Sequence, residues 1–194
     1  MTLFIIGLVL FLGIHLVRVV APGLRTGLIN SMGVNAYRGV YSLVSLLSLC
    51  LLIYGFGIAR QETGILYDPP VFLRHITLLL MLIAFVVLAA GFLPSGYIAA
   101  YTKHPQVLAI KIWAFAHLLA NGETVQVILF AAFLAWGVIM RIAYKRRARN
   151  GEITERVYKS WTYDIAAIVI GLVVYGLFFM KLHTWLIGVP VMTT

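Results

Sequence analysis

Six apolar runs, each close to the length of a membrane-spanning helix, dominate this sequence of 194 residues. They cover residues 2–20, 39–59, 71–93, 105–120, 124–143 and 163–187. A transmembrane α-helix needs about 20 mainly apolar residues, and only helices or closed barrels satisfy their backbone polar groups inside a bilayer. The runs lack the residue-by-residue alternation that is typical of barrel strands. The sequence therefore predicts an all-α fold, a polytopic membrane helical bundle of about six transmembrane helices.

Composition supports the same class. Hydrophobic residues make up 62% of the chain and charged residues 11%, whereas a soluble domain is about 25% charged. This excludes a soluble globular enzyme, a disordered chain and a disulfide scaffold, and the single cysteine, Cys50, cannot form an intrachain disulfide. The net charge of +9 comes from short loops, so we expect membrane lipid rather than nucleic acid as the partner. We expect one domain, residues 1–194.

The loop charges predict an orientation. Basic residues are concentrated in the loops at 21–38, 94–104 and 141–160, whereas the intervening loops at 60–70 and 121–124 carry little net charge. Cytoplasmic loops of membrane proteins are enriched in Lys and Arg. The pattern therefore places the three basic loops in the cytoplasm and both termini outside. We interpret residues 146–160 within the longest loop as a solvated segment.

Five histidines stand out in so small a membrane chain. Ionisable residues at membrane depth are costly and usually face the interior of a bundle or a functional site. Threading the chain through the bilayer sorts them into an outer trio, His75, His117 and His183, and an inner pair, His15 and His104. The outer trio lies on three different predicted helices, which is the arrangement that lets a helical bundle hold a cofactor between its helices.

Spacing limits which histidines can share a metal. His104 and His117 are 13 residues apart on one helix, which is about 20 Å along its axis. The two axial nitrogens of one haem are about 4 Å apart, because metal–imidazole bonds are roughly 2 Å long. The outer trio is thus the better candidate for a haem iron, and no zinc-type spacing occurs. The alternatives are hydrogen-bonded interface anchors for the trio, a helix cap for His104 and a buried structural histidine for His15.

Three basic residues extend these candidate sites. Arg74 and Lys181 lie beside His75 and His183, where a guanidinium or ammonium group could pair with haem propionates. The alternative is that both side chains snorkel to lipid headgroups. Lys111 lies within the fourth span, seven residues after His104 and on the same helix face. We therefore group Lys111 with His104 and His15 as a possible second site.

One segment resembles the hallmark of a known family, the NnrU membrane proteins of bacteria. That segment is TKHPQVLAIKIWAFAHLLANGE, and FLGIHLVRVVAPGLR and YRGVYSLVSLLSL are similar to the N-terminal half of the family. The family is linked to nitric oxide and nitrite metabolism in denitrifying bacteria, and it includes the zeta-carotene isomerases, which carry haem b. The resemblance implies a haem b protein of the bacterial inner membrane. It implies, as partners, nitric oxide or nitrite reductase components, or a polyene-like lipid as substrate.

The resemblance also implies a set of ligands. In the isomerase branch three histidines have axial roles, one of them as an alternative ligand, and their spacing is similar to that of His75, His117 and His183. A haem-dependent cis-trans isomerase-like activity is therefore possible, and whether the chain is an enzyme stays open.

Four functions remain open from the sequence. The leading one is a haem b membrane protein with a redox, isomerase-like or accessory role in nitric oxide and nitrite metabolism. The second is an electron-transfer cytochrome with two haems, the inner one held by His15 and His104. The third is a membrane methyltransferase, because His104-Pro105 resembles the Arg-His-Pro segment of isoprenylcysteine methyltransferases, although Lys103 replaces the arginine. The fourth is a cofactor-free assembly scaffold.

Overall fold

A computed structural model describes residues 1–191 and shows a chain made of helices. The helices are α1 (Thr2–Val20), α2 (Pro22–Met32), α3 (Val34–Glu62), α4 (Val71–Phe92), α5 (Tyr97–Thr102), α6 (Pro105–Ala120), α7 (Thr124–Arg149), α8 (Thr162–Leu177) and α9 (His183–Ile187). A π-helical turn, Phe178–Leu182, joins α8 to α9 without a break. Within the described residues, extended pairing is confined to one isolated bridge between Ile65 and Glu123.

Five helical segments among residues 1–191 are long and apolar enough to cross a membrane. They are α1, α3, α4, α7 and the continuous segment Thr162–Ile187, and α6 is a shorter apolar helix of 16 residues. These six segments coincide with the six apolar runs of the sequence. The all-α polytopic membrane bundle is therefore confirmed.

The chain divides into two compact units. The first comprises residues 1–69 and 121–143, and the second comprises residues 70–120 and the chain from Tyr144 onward. Helix α7 contributes its first part to one unit and its last residues to the other.

Small residues let helices α1 and α3 of the first unit approach closely. A Cβ atom on Gly7 would lie 2.6 Å from the backbone nitrogen of Leu52, and one on Gly55 would meet the backbone of Phe4. Close backbone approach at glycines is the usual way in which membrane helices pack. Val125 of α7 joins Phe4 and Leu52 in the core of this unit.

Helix α4 is the centre of the second unit, since α6 and α8 both pack against it. Thr77 on α4 donates a hydrogen bond of 2.8 Å to the backbone oxygen of Ala116 on α6. A Cβ atom on Gly171 of α8 would lie 2.7 Å from the Cα atom of Val86. Side chains of four buried alanines fill the space at the other end of α4 and α8.

The structure corrects the sequence reading of two loops. Helix α2 lies inside the predicted loop 21–38, because Pro22 occupies its first turn and Gly33, with φ of +82°, ends it. Residues 146–160 are mostly exposed, as expected of a solvated loop, but residues 146–149 continue α7 and one arginine packs against the fold. That residue, Arg156, is half-buried and donates to the backbone oxygens of Gly91 at 2.8 Å and Leu93 at 3.2 Å.

Candidate histidine site in the second unit

His75, His117 and His183 lie at one end of the second unit, which we call the histidine end. Thr77 and Ala116 are hydrogen-bonded, so the start of α4 and the end of α6 meet there. The α8 helix runs antiparallel to α4, with Gly171 against Val86. Twelve residues further along the chain from Gly171 is His183, and twelve residues back from Val86 is Arg74, next to His75. The sorting of these histidines to one end therefore agrees with the geometry of this unit.

Backbone carbonyl groups orient two of the three rings. The Nδ1 atom of His117 lies 2.9 Å from the backbone oxygen of Trp113, one turn earlier on α6. The Nδ1 atom of His183 lies 2.7 Å from the backbone oxygen of Val189. A carbonyl oxygen only accepts, so Nδ1 carries the proton in each ring, and Nε2 of the neutral imidazole then carries the lone pair. Metal-binding histidines are typically oriented in this way.

The local backbone around His183 departs from a regular helix on both sides. The π-helical turn Phe178–Leu182 comes immediately before it, and such turns occur frequently at functional sites. Helix α9 ends at Gly188, whose φ of +77° turns the chain so that the Val189 carbonyl returns to the His183 ring. Glycine adopts this left-handed conformation without a Cβ penalty.

His117 and His183 are neighbours within the histidine end. The two rings are close enough for charges on them to interact, and both side chains are half-buried. The ring of Trp113 lies 5.4 Å from that of His117. Imidazole rings on different helices, each oriented through Nδ1, are the type of ligand that a haem iron accepts.

The third member of the trio, His75, is exposed in the first turns of α4. Within residues 1–191 no three His, Cys, Asp or Glu side chains are close enough together to hold one metal ion. The trio therefore shares an end of the unit but does not surround a single point. A haem iron needs only two axial ligands, so the ligand assignment stays a prediction.

Arg74 and Lys181 are both exposed beside the trio. Within residues 1–191 neither side chain forms an ion pair, and their expected role toward propionates stays a prediction. Arg60 is a third basic residue near the outer loops. It forms an ion pair within the first unit, with its Nε atom 3.1 Å from Oε2 of Glu123.

The members of the possible second site lie in both units. His15 is in the first unit, where its Nδ1 atom lies 2.6 Å from the backbone oxygen of Phe11. His104 and Lys111 are in the second unit, both half-buried. The ring of His104 stacks on that of Tyr144 at 4.3 Å. The pairing of His15 with His104 stays a prediction.

The opposite end of the second unit, which we call the loop end, holds polar contacts that the sequence did not reveal. Gln106 donates to the Gly91 oxygen at 2.6 Å, the same atom that Arg156 binds. Asp164 accepts the backbone N–H groups of Tyr97 and Ile98 at 2.7 and 2.9 Å. Asp164 lies in the first turn of α8, and its carboxylate also caps the start of α5. An acidic residue far away in sequence gives no local signal for such a cap.

Two groups in the cytoplasm-predicted loop have shifted pKa values. Hydrogen bonds from Asn150 and Arg147 hold the pKa of the Glu152 carboxyl below its usual value. The rings of Tyr97 and Tyr158 stack with their centroids 4.2 Å apart. A hydrogen bond between their hydroxyl groups raises the pKa of Tyr158. Both groups are exposed, so these contacts order the loop without forming a reactive centre.

The family of this chain is shown by its match to a known protein family. The model of the NnrU protein family matches residues 3–191. The chain belongs to the NnrU family. The match spans both units, so the NnrU domain includes the histidine end and the loop end alike. No curated protein and no solved structure matches this NnrU chain.

Proposed function

We propose that this NnrU protein binds one haem b at the histidine end, with His117 and His183 as the axial ligands. The observation that carries the proposal is the matched orientation of the two rings. Each Nδ1 atom lies within 3 Å of a backbone oxygen, which directs Nε2, the nitrogen that would coordinate the iron, away from that carbonyl. Haem in membrane proteins is commonly held by histidines on facing helices of a bundle.

His75 has a secondary role in this proposal. Its exposed position on α4, near the hydrogen bond of Thr77 to Ala116, makes it an alternative ligand when one of the other two is replaced. Arg74 and Lys181 are the nearest basic side chains along the chain and would neutralise the propionate groups.

The donor set also indicates the kind of chemistry. A haem iron with two imidazole ligands supplies one-electron redox chemistry. The residues of this chain hold and orient the two rings through the backbone carbonyls of Trp113 and Val189. We propose that the protein acts as a redox or accessory component in nitric oxide and nitrite metabolism, with an isomerase-like reaction on a polyene-like lipid as the alternative. The bacterial inner membrane is the proposed location.

Replacement of the ligands tests this function. We would purify the protein in detergent from cells supplied with haem, and record oxidised and dithionite-reduced spectra of the wild type and of His117→Ala, His183→Ala and the double variant. The double variant should lose at least nine-tenths of the bound haem. Each single variant, made in a His75→Ala background that removes the alternative ligand, should lose its low-spin spectrum. His104→Ala, at the other end of α6, is the matched control and should keep both.

Folding failure would give the same loss of haem, so a second measurement is needed. Imidazole added to the single variants should restore the low-spin spectrum, because it replaces the missing ring. A double variant that elutes as a normal monodisperse peak and keeps its haem would overturn the ligand assignment.

A further inference from the structure

The ring of His15 lies among aromatic side chains in the first unit. Its centroid is 4.6 Å from Phe11, 5.8 Å from Tyr41 and 6.3 Å from Trp136. These residues come from α1, α3 and α7, which are three of the segments long enough to span a membrane. His15 is five residues before the end of α1, about 8 Å along the helix axis. The ring therefore lies inside an apolar span, close to the C-terminal end of α1. We call these four residues, together with Ser45, the His15 cluster.

The hydrogen bond of His15 defines what its ring can bind. Its Nδ1 atom lies 2.6 Å from the backbone oxygen of Phe11. The proton is therefore on Nδ1, and Nε2 of the neutral ring is an acceptor. An imidazole acceptor within an apolar span is suited to a ligand that brings its own O–H or N–H donor.

Two donors in the same cluster have no acceptor among residues 1–191. These are the indole Nε1 of Trp136, a side chain only 9% exposed, and the hydroxyl of Ser45. Ser45 lies one helical turn after Tyr41, so both are on the same face of α3. Buried polar groups in proteins are nearly always hydrogen-bonded, and an exception indicates an additional ligand or water. The cluster thus offers one acceptor, two unsatisfied donors and flat aromatic rings.

We propose that the His15 cluster binds the headgroup of a lipid-soluble quinol. The phenolic hydroxyl of a quinol would donate to Nε2 of His15, and quinol oxygens would accept from Trp136 and Ser45. The flat ring of the headgroup would pack against the aromatic side chains. Its isoprenoid tail would extend into the hydrocarbon core of the bilayer. This site is in the first unit, so it stands independently of the haem site proposed in the second.

Quinol partition into lipid nanodiscs tests the proposal directly. Under anaerobic conditions, discs with the protein and empty discs would be titrated with decylubiquinol, and the retained quinol would be quantified by chromatography. The wild type should show one saturable site per chain above the empty-disc background. Trp136→Phe and Ser45→Ala each remove one donor and should weaken binding by several-fold, and His15→Phe by about tenfold or more.

A matched tryptophan variant controls for the loss of the ring. Trp185→Phe, at a side chain that is 79% exposed, should bind quinol as the wild type does. A normal monodisperse elution peak and a thermal unfolding temperature close to that of the wild type would show that the variants are folded. Equal quinol content in protein-containing and empty discs would overturn the proposal. So would unchanged affinity in both Trp136→Phe and His15→Phe, which would indicate that water satisfies the two donors.

Discussion

The Nδ1 atom of His183 lies 2.7 Å from the backbone oxygen of Val189, on the far side of a glycine in the left-handed conformation. The π-helical turn before His183 and the chain reversal at Gly188 after it therefore act on one ring. Gly188 and Val189, which follow α9, are part of the site, because the Val189 carbonyl fixes which nitrogen of His183 carries the proton.

Substitution of Gly188 should loosen the haem without removing a ligand. Valine at φ of +77° is strained, so Gly188→Val should displace the Val189 carbonyl and leave His183 poorly oriented. We expect haem transfer to apomyoglobin to become several-fold faster. Gly176→Val is the control, since a Cβ atom there meets no neighbouring atom within 4 Å. Equal transfer rates in the two variants would contradict this role of the Val189 carbonyl.

Larger residues at the contact between α1 and α3 should destabilise the first unit. Gly7→Val places a branched side chain where the backbone of Leu52 already lies, and overpacking of this kind costs roughly 1–3 kcal/mol. Thermal unfolding in detergent should occur at a clearly lower temperature. Gly13→Val, on the same helix with open space around it, should unfold close to the wild type. If both variants unfold alike, the close approach of the two helices is not important for stability.

Replacement of the Arg156 guanidinium should weaken the attachment of residues 156–159 to the loop end. In Arg156→Gln the carbonyls of Gly91 and Leu93 lose their guanidinium donor. The neighbouring backbone hydrogen bond from Lys159 to Ser95, 2.8 Å long, should then open more often. Hydrogen exchange of the amides around Lys159 should become at least tenfold faster. Exchange unchanged from that of Arg149→Gln, at an exposed arginine, would show that the loop is held by other contacts.

Labelling of single cysteines checks the predicted orientation. In a Cys50→Ser background, Asn150→Cys lies in the basic loop and Gly64→Cys in the weakly charged loop before α4. Because basic loops remain in the cytoplasm, an impermeant maleimide should label Gly64→Cys in intact cells. It should label Asn150→Cys only after the membrane is opened. The reverse pattern would place both termini inside.

The spans could be predicted from the sequence because each is a long apolar run, and hydrophobicity alone selects a helix inside lipid. The grouping of His75, His117 and His183 at one end followed from the direction of successive spans. The contacts at the loop end could not be predicted. Arg156 and Gly91 are 65 residues apart, and Arg156 has the same local sequence signal as the solvated bases around it.

The orientation of the His117 and His183 rings could not be predicted from the sequence either. The acceptors of their hydrogen bonds are the backbone oxygens of Trp113 and Val189. Every residue has a backbone oxygen, so the residue types in the sequence do not indicate which one a histidine will use. The sequence indicated three candidate ligands as equals, whereas the structure distinguishes two half-buried, oriented rings from an exposed His75. Tertiary packing alone makes this difference.

The haem content of the purified wild-type protein is the most direct test of the account. A pyridine haemochrome assay on protein from haem-supplied cells should give about one haem b per chain, and the reduced protein should have the sharp α-band of low-spin iron with two imidazole ligands. Two haems per chain would favour a transmembrane electron-transfer cytochrome. A folded protein with no haem would contradict the proposed function and leave the histidines with a structural role.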